Sequence, residues 1–194
     1  MRGGCECARS AHACVHRFLT PPLPPRSQFN GTINHPGLTV SESRLHFYVW
    51  ALLPSPLILS FDPRTLPQQP GGQECLDMVK NAEILAINQD PGVIGAALLA
   101  QGPASAATSE AVDYQVLGRP LAAQGAWAAV LVNRATQALN LTLQWSALGL
   151  PSPGGAASVR DVGAQQELGS FTGSFTALVP PRDAMIVRVT QPAA

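Results

Sequence analysis

Charge is scarce in this sequence of 194 residues, and neither sign is in excess. Lys plus Arg and Asp plus Glu number 12 each, so charged residues make up 12% of the chain. A chain without net charge is poorly suited to binding the phosphates of a nucleic acid, an anionic membrane surface or an acidic partner. We therefore expect neither nucleic acid nor a membrane among its partners.

The sequence also lacks a hydrophobic run long enough to cross a bilayer. Its most apolar stretch, LHFYVWALLPSPLILSFDPR, runs from Leu45 to Arg64. About 15 residues of it are free of charge, fewer than the roughly 20 that a membrane span needs, and Pro54 and Pro56 would break a helix. The stretch is therefore typical of a buried core segment.

Neither a secretory signal nor a familiar metal motif opens the sequence. The first residues, MRGGCECARSAHACVHRF, hold no continuous apolar segment of signal-peptide length, so the compartment stays open. Cysteines and histidines crowd this region, but their spacing matches none of the usual C-x2-C zinc patterns. With TPPLPPRS following, we expect residues 1–36 to be an unstructured leader without a metal, and we expect no cofactor in the chain. The residues in question are Cys5, Cys7, His12, Cys14 and His16.

Order is predicted to begin at GLTVSESRLHFYVWALLP. Thr39 and Glu42 have the spacing of a capping box, in which each side chain accepts a hydrogen bond from the other's backbone N–H. The helix that follows is predicted to end at Pro54. It would place Leu45, Val49 and Leu52 or Leu53 on one face.

A continuous apolar run, SPLILSFD, follows and predicts a strand at Leu57 to Leu59 that is buried on both faces. Beyond a loop rich in Pro and Gly, Leu76, Val79 and Ile84 fall near helical spacing. Residues 37–94 therefore read as helix, strand and helix, one slice of a βα-repeating fold. A parallel strand needs neighbours on both sides, and this sequence does not encode them.

From about Gly95 the pattern changes to a period of two. LNLTLQW places Leu139, Leu141, Leu143 and Trp145 on one face, with polar residues between them. Similar segments, separated by the turn residues that 18 Pro and 17 Gly help to supply, predict an antiparallel β-sandwich over residues 95–194. In FTGSFTALV the inward positions would be Phe171, Phe175, Ala177 and Val179.

Two long segments together resemble a known family. GLTVSESRLHFYVWALLPSPLILSFDPRTL with NAEILAINQDP resembles the end of the catalytic barrel of family 27 glycoside hydrolases, the α-galactosidases and their α-N-acetylgalactosaminidase relatives. VRDVGAQQELGSFTGSFTALVPPRDAMIVRVT is similar to the closing strands of the same family. The positions that carry the first match are Gly37, Leu38, Thr39, Glu42, His46, Phe47, Trp50, Ala51, Ser55, Pro56, Leu57, Ile58, Asp62 and Ile84 to Pro91.

The resemblance implies a fold and an activity. The fold is an α/β remnant of the end of a (β/α)8 barrel followed by an all-β antiparallel C-terminal sandwich. The activity is retaining hydrolysis of terminal α-linked galactose, which uses two carboxyl groups about 5 to 5.5 Å apart. In the family both are aspartates on barrel strands upstream of the matched region, and the K-[YF]-D context of the nucleophile does not occur here. We therefore expect the chain to be inactive by itself, with no catalytic residue of its own.

Few residues remain as site candidates. Asp62 follows the predicted strand, at the end of a barrel strand where such enzymes keep their sites, and is the candidate for substrate contact. Asn30 and Asn140 fit the N-glycosylation acceptor pattern. The alternative function is a free-standing carbohydrate-binding or interaction module, for which Trp127 and Tyr114 would supply an aromatic platform. The implied ligand in either case is an α-galactoside carbohydrate; the oligomeric state stays open.

Overall fold

A helical segment precedes an antiparallel β-sandwich in the computed structural model, which describes residues 38–58, 62–68, 70–92, 94–103, 112–150 and 155–191. Both parts belong to one unit that begins at Leu38. The helices before the sandwich are α1 (Val40–Leu52), α2 (Gly72–Val79) and α3 (Ala82–Asn88), with a 3-10 turn at Leu66–Gln68. Among the helices in the described ranges, none is both long and apolar enough to cross a membrane.

The capping box at the start of α1 is confirmed. The Thr39 hydroxyl oxygen accepts a hydrogen bond from the Glu42 backbone N–H at 3.2 Å, and the Glu42 carboxylate accepts one from the Thr39 N–H at 3.0 Å. These bonds hold the pKa of Glu42 below its ordinary value. The helix ends at Leu52, two residues before Pro54, as the proline predicts. Val49 and Leu52 are buried as expected.

The segment after α1 differs from the expected strand. Residues 55–58 have no regular secondary structure, and the Ile58 side chain is 80% exposed instead of buried on both faces. Leu59, the last residue of the predicted strand, lies outside the described residues, as do residues 60 and 61. The physical reason is that no strand of the described residues lies beside it: a parallel strand cannot satisfy its backbone N–H and C=O groups without a strand on each side.

The second helical region is interrupted at Asn81. The Asn81 side-chain oxygen accepts hydrogen bonds from the backbone N–H groups of Glu83 at 2.9 Å and Ile84 at 3.3 Å. Asn is among the strongest N-cap residues because its side chain satisfies such first-turn donors. The apolar spacing of Leu76, Val79 and Ile84 therefore spans two helices, α2 and α3.

The predicted antiparallel sandwich is confirmed. A six-stranded sheet has the order β1-β2-β3-β8-β5-β6, and a two-stranded sheet pairs β4 with β7. A short helix, α4 (Trp145–Leu148), follows β4. The strands are β1 Ala97–Gly102, β2 Tyr114–Pro120, β3 Ala126–Asn133, β4 Leu139–Gln144, β5 Ala156–Asp161, β6 Gln166–Thr172, β7 Ser174–Val179 and β8 Asp183–Thr190.

The alternation in β4 places the expected residues in the core. Leu141, Leu143 and Trp145 are buried between the sheets, whereas Asn140 and Gln144 are exposed. Trp145 lies in α4 and not in the strand, but it keeps the inward direction and is fully buried.

The segment GSFTGSFTALV forms two strands and not one. β6 ends at Thr172 and β7 begins at Ser174, and the two belong to different sheets. Gly173 between them has φ 76°, a left-handed conformation that favours glycine. The inward positions still hold: Phe175 and Val179 are buried, and Phe171 packs edge-on against Phe175 with ring centroids 5.0 Å apart.

β3 is buried on both faces and separates two apolar layers. Ala129 and Leu131 face the core between the two sheets. Val130 and Val132, on the opposite face, are also buried, because α1 packs across β3 and β8. The molecule thus has three layers, with the six-stranded sheet between the helices and the two-stranded sheet.

Candidate functional site

An ion pair fixes α1 to the sandwich. Arg44 Nη1 lies 2.7 Å from Asp183 Oδ2, and the Asp183 side chain is 2% exposed. The other Asp183 oxygen accepts a hydrogen bond from the backbone N–H of Ala184 at 2.7 Å. Because Asp183 has no access to water, removing Arg44 would leave a buried charge without its partner. Helix and strand are therefore coupled at this point.

A second ion pair fixes α3 to the sandwich. Arg160 on β5 donates from Nε and Nη2 to the two Glu83 oxygens, both at 2.7 Å, and from Nη1 to Glu167 at 3.1 Å. The two parallel bonds give the geometry in which guanidinium and carboxylate bind most specifically. The Arg160 guanidinium holds the pKa of Glu83 below its ordinary value.

The interface between helices and sandwich is expected to weaken in acid. Since the folded-state pKa of Glu83 is lowered, its contribution to stability is complete above the ordinary value of 4.5 and is lost as the pH falls through the folded value. We expect Glu83→Gln to be about 0.5 to 1 kcal/mol less stable than wild type at neutral pH, and the difference to shrink as the pH falls below 4.5. Urea unfolding at a series of pH values measures this.

Asp161 supplies a control, because its pKa is shifted in the opposite direction to that of Glu83. Burial raises its folded-state pKa, so its protonation favours the folded state and offsets part of the acid loss. Wild type therefore gains stability as the pH falls from the raised folded-state pKa of Asp161 to the ordinary value of 3.8, and we expect Asp161→Asn to lack this gain. If the stability of Glu83→Gln depended on pH in the same way as that of wild type, the predicted role of the ionised Glu83 carboxylate would be contradicted.

Arg119 is the most deeply buried charge at the interface. Its side chain is 0% exposed on β2, and its guanidinium donates from Nη2 to the Ile87 carbonyl and from Nη1 to the Ile94 carbonyl at 3.2 Å. Ile87 lies in the last turn of α3, where a cation stabilises the exposed carbonyls and the helix dipole. Burial lowers the pKa of Arg119.

The end of the NAEILAINQDP motif is also fixed to the sandwich. Asp90 Oδ1 accepts hydrogen bonds from the backbone N–H groups of Gly92 at 3.0 Å and Ala122 at 2.9 Å. Ala122 lies between β2 and β3. A single carboxylate therefore closes its own turn and holds a sandwich loop.

The turn between β5 and β6 lies against α1 and α3. Asn81 Nδ2 donates to the Val162 carbonyl at 2.9 Å, and Asp161 accepts from the Ala164 N–H at 2.9 Å. Tyr48 is buried beside this turn, and burial raises its pKa to about 12. A cavity of about 410 Å³ opens here. Its polar lining consists of Arg44, Tyr48, Asp161 and Asp183.

Gly163 in this turn has no room for a side chain. A Cβ added there would lie 2.3 Å from the Tyr48 hydroxyl oxygen. We expect Gly163→Ala to lower the free energy of unfolding by about 1 to 3 kcal/mol, as overpacking does. Adding Tyr48→Phe removes the clashing oxygen and should recover part of the loss.

Gly95→Ala is the matched control for this substitution, because a Cβ there would meet nothing within 4 Å. Urea unfolding of the three single variants and the double variant gives the coupling energy. Strict additivity of Gly163→Ala and Tyr48→Phe would contradict the predicted contact.

The candidate for substrate contact, Asp62, is exposed and paired with a neighbour. Arg64 donates to it from its backbone N–H at 2.9 Å and from its guanidinium at 2.8 to 3.2 Å. These bonds lower the pKa of Asp62. Asp62 is therefore a carboxylate at neutral pH, able to accept hydrogen bonds from hydroxyl groups but not to donate a proton.

The aromatic residues do not form the platform that a sugar-binding module needs. Trp127 and Tyr114 are both half-buried against the core between the sheets. Trp127 pairs with Pro120 at one end of the β2–β3 ladder, and Tyr114 pairs with Asn133 at the other. The two pairs are six residue steps apart along each strand, roughly 20 Å. The two rings therefore cannot stack on one sugar.

Other candidates are placed as follows. Asn140 is exposed on β4, two residues before Thr142, whose hydroxyl lies 2.9 Å from that of Thr176. Asn30 and the cysteine- and histidine-rich start of the chain lie outside the described residues. Within the described ranges, no group of three or more His, Cys, Asp or Glu side chains is placed to hold a metal ion.

Sequence reasoning missed the residues that join the helices to the sandwich. One of them, Arg119, is a lone charge within an apolar segment, YQVLGRP. That pattern was available as a signal, since an isolated charge between buried positions requires a partner. The partners of these charges could not be read from the sequence, because they are distant in the chain. Arg119 and Ile87 lie 32 residues apart, and Arg44 and Asp183 lie 139 residues apart.

Comparison with known proteins agrees with this architecture. Residues 111–189 match the family described as the alpha galactosidase C-terminal beta sandwich domain. Alpha-galactosidase 3 from Arabidopsis thaliana is 34% identical over 160 residues, and an alpha-galactosidase from Coffea arabica is 30% identical over 159. The crystal structure of alpha-galactosidase I from Mortierella vinacea superposes with a TM-score of 0.68 at 26% identity.

The chain belongs to the family 27 glycoside hydrolases. It corresponds to their C-terminal portion: the matches cover 81%, 81% and 84% of this chain but 33%, 38% and 38% of the respective relatives. The family 27 resemblance of the two motif segments is confirmed. The interface described above is where those two segments meet, with Arg44 and Glu83 from the first and Asp183 and Arg160 from the second.

Proposed function

We propose that this chain is the C-terminal part of a retaining α-galactosidase, that its sandwich anchors the end of the catalytic barrel, and that it does not hydrolyse substrate by itself. The observation that carries the proposal is the interface. Two ion pairs join the barrel-end helices to the sandwich. Arg44 binds the buried Asp183, and Arg160 binds both oxygens of Glu83. A sandwich serving as an independent binding module would have no need of them.

The chemistry of the described carboxylates supports the absence of activity. A retaining glycosidase needs one carboxylate as nucleophile and one protonated carboxyl as acid, about 5 to 5.5 Å apart. Glu42 and Glu83 are held ionised by their partners, with lowered pKa values. Asp183 is bound by Arg44 and a backbone N–H. Glu42, Glu83 and Asp183 thus have structural roles.

Asp62 enters the proposal as a residue that contacts the sugar. It is exposed, ionised and held by Arg64, so it can accept a hydrogen bond from a galactose hydroxyl. We expect Asp62→Asn to raise KM in a chain that carries the complete barrel and to leave kcat nearly unchanged. A fall in kcat with unchanged KM would contradict this role. Asn140, exposed on the outer face of β4, is retained as a candidate glycosylation position.

The proposal is tested with the purified chain and one fusion. With an aryl α-galactoside we expect no turnover by the chain alone. A single polypeptide that joins this chain to the part of the Arabidopsis relative that it does not cover is expected to be active. Turnover by the chain alone, abolished by replacing one of its own aspartates, would overturn the first statement, and an inactive but folded fusion would overturn the second.

A further inference from the structure

In its last two turns, α1 carries Phe47 and Trp50 on the side away from the sandwich, with the His46 ring against Trp50 at a centroid distance of 4.4 Å. Tyr48, Val49 and Leu52 are buried, and Phe47 and Trp50 lie on the other side of the helix, where both are half-buried. Trp50 Nε1 is buried without a hydrogen-bond partner among the described residues. A helix segment with large apolar side chains on more than one face is normally enclosed by a larger core.

An exposed apolar segment lies next to this face. The Ser55 N–H donates to the Trp50 carbonyl at 3.4 Å, and Asn88 Nδ2 donates to the Ser55 carbonyl at 2.9 Å. The start of the segment is thus fixed between α1 and α3. It continues through Leu57 to Ile58, which is 80% exposed, and residues 55–58 take part in none of the strand pairings of the described sheets. We call Phe47, Trp50, Leu57 and Ile58 the barrel-side surface.

We infer that the barrel-side surface binds the preceding portion of a family 27 barrel when that portion is supplied as a separate polypeptide. The inference rests on the proposed function. One observation and one physical argument select this occupant. The chain spans 33% to 38% of these relatives, and a barrel strand at residues 57–59 would need neighbouring strands that the rest of such a relative could supply. The surface carries no charge, as an interface that becomes a buried core requires.

The test mixes two purified chains. One is this full chain, and the other is the part of Arabidopsis alpha-galactosidase 3 that it does not cover. We expect a 1:1 complex by size-exclusion chromatography with light scattering, and turnover of an aryl α-galactoside at least about tenfold above that of the barrel portion alone. We expect Ile58→Asp to weaken the association at least about tenfold, because it places a charge in the centre of an apolar contact.

Leu178→Asp is the matched control, since Leu178 is 64% exposed on the outer face of β7, in the other sheet. Both side chains are exposed, so we expect circular dichroism melting curves like that of wild type for both variants. Failure of the two chains to associate, while the single-chain fusion is active, would overturn this inference and leave the proposed function standing. A folded but inactive fusion would instead refute the proposed function.

Two other occupants are separated by the same measurements. Binding of a second copy would give the chain twice its 20.3 kDa mass in the absence of the barrel portion. If residues 1–37 covered the barrel-side surface, a chain truncated before Leu38 would bind the barrel portion more tightly than the full chain does. It would also melt at a lower temperature. Either result would overturn the inference.

Discussion

Replacing Trp145 with alanine is expected to cost about 4 kcal/mol, a large fraction of the roughly 5 to 15 kcal/mol by which a folded domain is stable. Trp145 is 0% exposed and lies in the core between the sheets. Its Nε1 donates to the Phe171 carbonyl at 3.2 Å, and its backbone N–H donates to the Gly173 carbonyl at 2.9 Å. The substitution therefore removes a large apolar side chain and leaves the carbonyl of Phe171 without this donor.

Trp127→Ala is the control for this experiment, because Trp127 is half-buried at the end of the β2–β3 ladder. We expect it to cost less than half as much. Trp145→Phe keeps most of the apolar contact and loses the hydrogen bond, so about 1 to 2 kcal/mol is expected. Urea unfolding followed by circular dichroism compares the three. Equal effects of the two alanine substitutions would show that Trp145 does not hold the sheets together.

Replacing Arg119 with methionine is expected to cost about 2 to 3 kcal/mol, although methionine fills much of the same space. The loss comes from two carbonyls that no longer receive a hydrogen bond, the buried one of Ile87 and the part-buried one of Ile94. Arg119→Lys keeps the charge, but its single ammonium group cannot donate to both carbonyls as the guanidinium does. We therefore expect its loss of stability to lie between zero and that of Arg119→Met. Arg188→Met, at an exposed position on β8, should change stability by less than about 0.5 kcal/mol.

Amide hydrogen exchange distinguishes the role of Arg119 at the helix from a general loss of stability. Because Arg119 binds the last turn of α3, its removal should accelerate exchange in residues 82–88 more than in β3 and β8. The α3 amides would then open at a free energy below that of global unfolding. Uniform acceleration across the sandwich would contradict this specific role.

Local signals were sufficient for much of the fold. The capping box of Thr39 and Glu42, the end of α1 before Pro54 and the inward alternation of β4 depend on residues within a few positions of each other. Family membership was equally readable, because the two motif segments are long and ordered. Such features depend on backbone geometry and on nearby side chains, both of which the sequence states directly.

Interactions between distant residues could not be read in this way. AWAAVLVN shows a continuous apolar run, but only the packing of α1 on β3 shows that its second face is covered by a helix. The division of GSFTGSFTALV at Gly173 depends on which sheet each half joins. The partners of Arg44, Arg160 and Arg119 lie 139, 77 and 32 residues away.

The hydrophobic run from Leu45 to Arg64 shows both what a sequence determines and what it leaves to the tertiary structure. Its sequence determined that a capped helix begins at Thr39 and ends before Pro54, and that an apolar segment follows. Only the tertiary structure decided that one half of this run is buried against the sandwich and that Ile58 is exposed to solvent. The reason is physical: a helix satisfies its own backbone hydrogen bonds, whereas a parallel strand depends on neighbours whose presence its own sequence cannot specify.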